Sequence, residues 1–227
     1  MNKLILFDID RTLIISSKAH HKAFSEGFKK VYGVDTTIDI INHHGMTEQQ
    51  VIIEVLKKNG FGEQEIKSKI KECIKEMVSS FNKFIENEKI TPLDGVLGLL
   101  EELEKNNFLM GLVTGNLEDI AKGKLKKAGI NHYFKIGGFG NDDIERANLV
   151  KLAIKRAEEN FDFLRHNDNV FLLGDAPQDM MAGKEAGVKT IGVTTGIYSK
   201  EQLEKAGADF VVESLKEKNK IFEIILN

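Results

Sequence analysis

The pattern of apolar and polar positions divides the chain into three stretches. Residues 3–8 form an almost uninterrupted apolar run, which predicts a strand buried on both faces, as in a parallel sheet. Between about 17 and 89, apolar residues recur at helical spacing among charged ones, and no segment reads convincingly as a strand. We expect four or so packed helices here, ending at the breaker cluster 91–95.

Beyond residue 95 the pattern alternates between the two periods. Strands are predicted at 109–113, 133–136, 169–173, 189–193 and 209–212, and helices at 96–105, 117–128, 145–158, 178–186, 200–206 and the C-terminus. This alternation predicts βαβ units and a mostly parallel sheet. The expected fold class is therefore α/β: a Rossmann-like parallel sheet flanked by helices, formed by residues 1–15 and 91–227, with an all-helical cap domain, 16–90, inserted after the first strand.

Composition narrows the class of protein. The 227 residues are 41% hydrophobic, enough for a full core, and the net charge of −3 argues against nucleic acid as a partner. A single cysteine, Cys73, fits a reducing compartment. No cationic leader and no run of transmembrane length is visible, so we expect a cytoplasmic protein, not bound to membranes, that is a monomer or weak homodimer.

The most informative polar residues are Asp8 and Asp10, directly after the first apolar run. Side chains alternate along a strand, so both acids begin on one side at its carboxyl end, where open α/β sheets bind ligands. Two like charges this close are costly unless a cation or a shared proton relieves them. The segment therefore indicates a metal, a proton, or both.

Three further segments place reactive side chains after predicted strands. Thr114, Gly115 and Asn116 follow one strand, and Asp175 and Asp179 follow another. Between them, a glycine-rich segment at 137–140 leads to Arg146 at the start of a helix. A parallel sheet would gather all of these at one edge.

Together these segments resemble the four motifs of the haloacid dehalogenase-like superfamily, over nearly the whole chain. The motifs are DxDxT at 8–12, the hydroxyl of Thr114, a basic residue at Arg146 and GDxxxD at 174–179. The helical insertion is similar to the cap of the phosphoglycolate phosphatase-like branch. The resemblance implies a Mg²⁺-dependent phosphatase that acts on a small phosphorylated metabolite through an aspartyl phosphate.

The resemblance also implies a role for each site residue. Asp8 would be the nucleophile, and Asp10 the general acid and base, with a pKa tuned upward. Mg²⁺ would be held by Asp8, Asp175 and the backbone carbonyl of Asp10, with Asp179 nearby. Phosphate and substrate binding falls to Thr114 and to the residues Ile9, Thr12, Gly115, Asn116 and, in a cap loop facing the site, Thr47.

Two positions depart from the family pattern. The family usually has lysine at the basic position where we place Arg146, and arginine supplies the same positive charge. Lys151 and Lys155 are the other candidates for this basic residue. Glycine is commonest where this chain has Arg11, which either reaches a substrate anion or faces solvent.

Alternatives stay open at this point. Taken singly, Asp10–Thr12 could be a turn, Asn116 a helix cap, Asp175 and Asp179 helix-end acids, and Arg146 a surface residue. The alternative function is a phosphomutase that uses the same intermediate, and a non-catalytic phosphate-binding module is less favoured. The histidines His20, His21, His43 and His44 lack the spacing of a zinc site.

Overall fold

The computed structural model describes residues 3–166 and 168–227, and six strands in this part form one parallel sheet. They are β1 (Leu4–Phe7), β2 (Leu109–Thr114), β3 (Ile136–Phe139), β4 (Val170–Gly174), β5 (Lys189–Val193) and β6 (Phe210–Val212), in the spatial order β3-β2-β1-β4-β5-β6. The α/β, Rossmann-like fold class expected from the sequence is confirmed.

The register of the central strands decides where the polar residues meet. Phe7, the last residue of β1, lies opposite Leu112 of β2 and Leu173 of β4. The residues that follow these three strands therefore emerge side by side at one edge. Every residue of β1 is fully buried, which explains its apolar run.

The insertion after β1 consists of three α-helices in the structure. They are α1 (Lys18–Gly27), α2 (Glu48–Lys58) and α3 (Glu63–Phe84). The remaining helical turns expected here are short: a π-helical turn at Phe28–Tyr32 continues α1, and 3₁₀ turns lie at Ile38–Ile40 and Ile85–Asn87. The two connections between the sheet and the insertion lie side by side, because Ile14 pairs with Pro92 in an isolated bridge.

The remaining helices cover the two faces of the sheet. They are α4 (Val96–Lys105), α5 (Glu118–Lys127), α6 (Arg146–Asn160), α7 (Pro177–Ala186), α8 (Lys200–Lys205) and α9 (Lys218–Leu226). One face, with Leu4 and Leu6, packs against α6 and α7. The other face packs against α4, α5 and α9, and its apolar cluster continues into the insertion. The division into a core domain and a cap domain stays a prediction.

The position of β3 differs from the prediction of 133–136. Tyr133 belongs to a 3₁₀ turn, and the strand begins at Ile136 and runs through Gly137 and Gly138. Glycines in a sequence usually indicate a weak or interrupted strand, but here they allow neighbouring elements to pack closely against the strand. A Cβ on Gly138 would lie 2.1 Å from the carbonyl oxygen of Leu149, so α6 can approach the strand only over glycine.

The described residues include no helix with the length and apolar character needed to span a bilayer.

Candidate active site

Three carboxylates converge at the carboxyl edge of the sheet. Asp8 follows β1, Asp175 follows β4, and Asp179 lies in the first turn of α7. One carboxylate oxygen from each lies within 4.8 Å of the others. All three residues are buried, with 7%, 5% and 0% of their surface exposed.

Arg146, the first residue of α6, lies among these acids. Its Nη2 donates to Asp8 Oδ1 at 2.5 Å and forms an ion pair with Asp179 Oδ1 at 2.6 Å. Burial disfavours its charge, but the carboxylates of Asp179 and Asp8 outweigh burial and raise the pKa of Arg146. The alternative cations are elsewhere: Lys151 and Lys155 are exposed and pair with Glu185 and Glu159. The geometry therefore favours Arg146 over either lysine.

The charges in this cluster do not balance. Burial, opposed by Arg146, raises the pKa of Asp8 well above its usual value, and the neighbouring acids raise it further. Burial and the charge of Asp179 likewise raise the pKa of Asp175 to about 7. Three buried carboxylates with one arginine suit an added divalent cation, and an all-oxygen donor set suits Mg²⁺. The residues present therefore fit a bound metal.

The Asp10 carboxylate is directed away from this cluster. Its Oδ2 accepts hydrogen bonds from Lys124 Nζ at 2.7 Å and from Asn116 Nδ2 at 2.9 Å. Lys124 also donates to Asn116 Oδ1 at 2.6 Å, and Asn116 Nδ2 contacts Thr114 Oγ1 at 2.7 Å. Asn116 thus connects Thr114 to Asp10 and does not cap α5, whose N-cap is Leu117.

This network reverses the expected titration of Asp10. Burial alone would raise the pKa of Asp10, but the charges of Lys124 and His20 and the hydrogen bonds from Lys124 and Asn116 lower it. The expectation of an upward-tuned pKa in the protein without substrate is wrong, because it did not include a cation beside Asp10.

Lys124 is the residue that sequence reasoning missed. It is fully buried on α5, although the segment around it, 122–127, contains three other lysines. A signal was present: Lys124 falls three and four residues after the buried residues Ala121 and Ile120, on the apolar side of the helix. A lysine on that side needs a buried partner.

The network continues into the insertion. Lys124 Nζ lies 2.9 Å from His20 Nδ1 of α1, and His20 Nε2 lies 2.8 Å from Glu48 Oε1 of α2. Core and insertion are therefore joined through a polar chain of four side chains, starting at Asp10.

The loop before α2 lies directly on the phosphate-binding motif predicted at Gly115. A Cβ on Gly115 would lie 2.3 Å from the carbonyl oxygen of Met46, so this approach requires glycine. The backbone N–H of Glu48 donates to the Gly115 carbonyl at 2.9 Å. Gln178 of α7 donates to the His44 carbonyl at 3.0 Å. The loop is thus held over the edge of the sheet.

Two threonines that were expected to bind substrate or phosphate are buried and form hydrogen bonds within the protein. Thr47 is fully buried, and its hydroxyl accepts from the Gln50 N–H in a capping box, as its spacing predicted. In the structure, the residues of this loop that line the pocket are His43, His44, Gly45 and Met46, with Glu48 beyond Thr47. Thr12 is also buried and donates to Asp175 Oδ1 at 3.3 Å.

Arg11 occupies a backbone position that favours glycine. Its φ is +66°, in the left-handed region, and its N–H donates to the Ile14 carbonyl while its own carbonyl accepts from Thr195. The side chain lines the pocket.

A pocket of about 230 Å³ lies between the sheet edge and the insertion. Asp8, Asp10, Arg146 and Asp175 line its core side, and residues of α1, α2 and the loop before α2 line the other. A small molecule in this pocket would contact the acids and the insertion together.

Fold and site define a Rossmann-like α/β protein with an acidic, ligand-sized site at the carboxyl edge of its sheet. A sequence model of the haloacid dehalogenase-like hydrolases matches residues 5–193, and the chain belongs to that family. It is a hydrolase, as the motifs implied.

Similar proteins span almost the whole chain. Pyrophosphatase PpaX of Oceanobacillus iheyensis is 24% identical over 219 residues, 95% of this chain and 94% of that protein. A phosphoglycolate phosphatase of Vibrio vulnificus is 24% identical over 218 residues, 94% and 92% of the two chains. The crystal structure of a hydrolase from Pseudomonas syringae superposes with a TM-score of 0.73 at 22% identity, covering 98% of each chain.

Proposed function

We propose that the protein is a Mg²⁺-dependent phosphatase that hydrolyses a small phosphorylated metabolite through an aspartyl phosphate on Asp8. The observation that carries this proposal is the convergence of Asp8, Asp175 and Asp179 with Arg146 at the floor of a pocket. Relatives named as a pyrophosphatase and a phosphoglycolate phosphatase support phosphate chemistry. The cytoplasmic location, the monomer or weak homodimer and the absence of nucleic-acid and membrane partners stay predictions.

Asp8, Asp175 and Asp179 would hold Mg²⁺, together with the Asp10 backbone carbonyl. The ion would neutralise phosphate oxygens and ease the approach of a carboxylate. The Arg146 guanidinium supplies a fixed positive charge at the same place, which suits an incoming phosphate.

In the first step, an Asp8 oxygen attacks phosphorus and the bond from phosphorus to the ester oxygen breaks. Asp10, which takes up a proton from solvent when the phosphate binds beside it, gives that proton to the leaving oxygen. Lys124 holds Asp10 ionised in the protein without substrate, but the negative charge of a bound phosphate beside Asp10 raises its pKa and opposes Lys124.

In the second step, Asp10, now a carboxylate, takes a proton from water. The water oxygen attacks phosphorus, the bond to Asp8 breaks, and inorganic phosphate leaves. Lys124 and Asn116 favour the ionised form of Asp10 that this step needs. Thr114, Ile9, Thr12, Gly115 and Asn116 keep their proposed roles around the phosphate, with Thr12 and Thr114 acting from buried positions behind the pocket.

The test is hydrolysis of p-nitrophenyl phosphate. We expect turnover with Mg²⁺ that EDTA abolishes, no turnover in Asp8→Asn, and lost turnover with retained Mg²⁺ binding in Asp10→Asn. Asp119→Asn, at an exposed position on α5, is the matched control and keeps the wild-type rate. Absence of turnover between pH 5 and 9 in the wild type would contradict the proposal.

The phosphomutase alternative differs in product. A phosphatase releases inorganic phosphate from a sugar phosphate, whereas a mutase returns an isomeric sugar phosphate. Measuring both products with one sugar phosphate separates the two functions.

A further inference from the structure

The wall of the pocket that faces the sheet edge comes from the insertion and has an unusual charge. Among the described residues that line the pocket, the insertion contributes two carboxyl groups and four imidazoles but no lysine or arginine. These residues are His20, His21, Asp39, His43, His44 and Glu48. The wall that would contact a leaving group therefore carries two acids and no permanent cation.

Glu48 is the buried acid of this wall. It lies in the first turn of α2 with 3% of its surface exposed. Its Oε1 lies 2.8 Å from His20 Nε2, but no described residue donates a hydrogen bond to either of its carboxylate oxygens. A buried carboxylate oxygen without a donor is unfavourable, so a ligand that brings a donor gains free energy here.

The neighbours of Glu48 leave the hydrogen-bonding capacity of its carboxylate unused. The Lys124 ammonium can only donate, so His20 Nδ1, 2.9 Å away, accepts. Glu48 Oε1 and His20 Nε2 lie close together but form no hydrogen bond with each other. The Glu48 carboxylate is therefore left for a group that enters the pocket.

The other histidines add no positive charge at neutral pH. Burial, followed by the neighbouring His44 and His21, lowers the pKa of His43 to about 4. Burial also lowers the pKa of His21. Neither imidazole can serve as the counter-charge of an anionic leaving group.

We propose that Glu48 binds the leaving group, so that the enzyme selects phosphate esters whose leaving group carries a hydroxyl or ammonium donor. Leaving groups that end in a carboxylate or a second phosphate are disfavoured, because they would bring a like charge against a buried one. The inference rests on the proposed phosphatase function. It sets this chain apart from relatives named for pyrophosphate and phosphoglycolate, whose leaving groups are anions.

Arg11 is the competing feature. It lines the pocket from the core side and, among the described residues, forms no ion pair. If an anionic leaving group is bound after all, Arg11 is where it binds. The experiment therefore needs a variant at each position.

The substrate test uses esters of one length that differ in charge. They are 2-aminoethyl phosphate, 2-hydroxyethyl phosphate and phosphoglycolate, with pyrophosphate as the second anion, each assayed with Mg²⁺. We expect kcat/KM for the first two to exceed that of the anions at least tenfold. Equal values, or a preference for either anion, would overturn the inference while leaving the phosphatase function intact. Failure of all four and of p-nitrophenyl phosphate would instead contradict the function.

The variant test assigns the preference to Glu48. Glu48→Gln keeps the size and removes the charge, and we expect the ratio of kcat/KM between the aminoethyl ester and phosphoglycolate to fall about tenfold. The matched control is Glu54→Gln, a half-exposed position on the same helix that pairs with Lys57, and it leaves the ratio and the rates unchanged. Thermal melting checks that both variants fold.

Two outcomes would overturn the assignment to Glu48. One is a uniform loss on all four substrates with an unchanged ratio, which would mean that Glu48 only supports the fold or the network. The other is a fall of the anionic rates in Arg11→Ala together with no effect of Glu48→Gln on the ratio, which would place the leaving group at Arg11.

Discussion

At the residue scale, the site contains two acids with different surroundings. Asp8 lies with two other carboxylates and Arg146, whereas Asp10 is bound by Lys124 and Asn116. Spacing in the sequence makes the two acids look equivalent. Asp8, the proposed nucleophile, shares one arginine with two other carboxylates, whereas Asp10, the proposed proton carrier, has a lysine of its own.

Lys124 is expected to position Asp10. In Lys124→Met the Asp10 carboxylate loses its buried cation, so we expect kcat to fall roughly 10- to 100-fold and stability to fall by about 1–3 kcal/mol. Steady-state kinetics and urea unfolding measure the two effects. Lys122→Met, exposed and paired with Glu118 on the same helix, serves as the control and keeps both values.

A second variant separates positioning from packing. In the double variant Asp10→Asn/Lys124→Met the acid and its cation are removed together, so stability should recover while turnover stays lost. A Lys124→Met protein with native kcat would show that Asp10 needs no cation. A double variant as unstable as the single one would show that Lys124 acts mainly by filling space.

At the scale of elements, β3 and α6 show how packing overrides local preference. Gly137 and Gly138 weaken a strand by themselves, yet both lie in β3, where α6 packs directly on Gly138 and the Phe139 ring lies against Gly137. The contact fixes the start of α6, and with it Arg146, against the sheet edge. Gly138, which in the sequence indicates an interrupted strand, therefore helps to position Arg146.

Gly138→Ala tests this contact. The new Cβ would lie 2.1 Å from the Leu149 carbonyl oxygen, so β3 and α6 must separate, and we expect a loss of about 1–3 kcal/mol. The control is Gly98→Ala in α4, where a Cβ meets nothing within 4 Å. That change should be neutral or stabilise by up to about 1 kcal/mol, since alanine is the better helix former. Chemical denaturation measures both, and equal effects would argue against the close packing.

At the scale of the whole molecule, the parallel sheet brings together residues far apart in sequence. Asp8 and Asp175 are neighbours because β1 and β4 pair in register. The insertion then covers the acids and leaves a small pocket. The folded protein thus carries a cluster of like charges whose repulsion a divalent cation would relieve.

Mg²⁺ should therefore stabilise the whole fold. At a concentration about 100 times its Kd, a ligand of the native state contributes about 2.7 kcal/mol. For a chain of this size we expect Tm to rise by roughly 5–10 °C. Asp175→Asn should melt no lower than wild type without Mg²⁺, because a repulsive charge is gone, and should lose most of the Mg²⁺ effect. Differential scanning calorimetry measures both, with Asp119→Asn as the control that responds like wild type.

A Tm that does not respond to Mg²⁺ in the wild type would contradict the metal site. An equal response in Asp175→Asn would remove that residue from the ligand set. Both readouts are independent of turnover.

The amino-acid sequence alone determined the order of strands and helices, the parallel sheet and the four segments that meet at its edge. The physical reason is that apolar periodicity and breaker residues are local properties, and parallel pairing then places strand ends together. Only the extent of β3 was placed wrongly among the strands, because the effect of its glycines depends on the residues that pack against them in the folded protein.

The tertiary structure alone decided which polar groups touch. Lys124, His20 and Glu48 lie on three different helices, and no spacing in the sequence relates them. The lowered pKa of Asp10 and the position of Glu48 at the pocket both follow from these contacts. The sequence lists the ionisable groups, but their pKa values and their ligands depend on burial and on neighbours that only folding supplies.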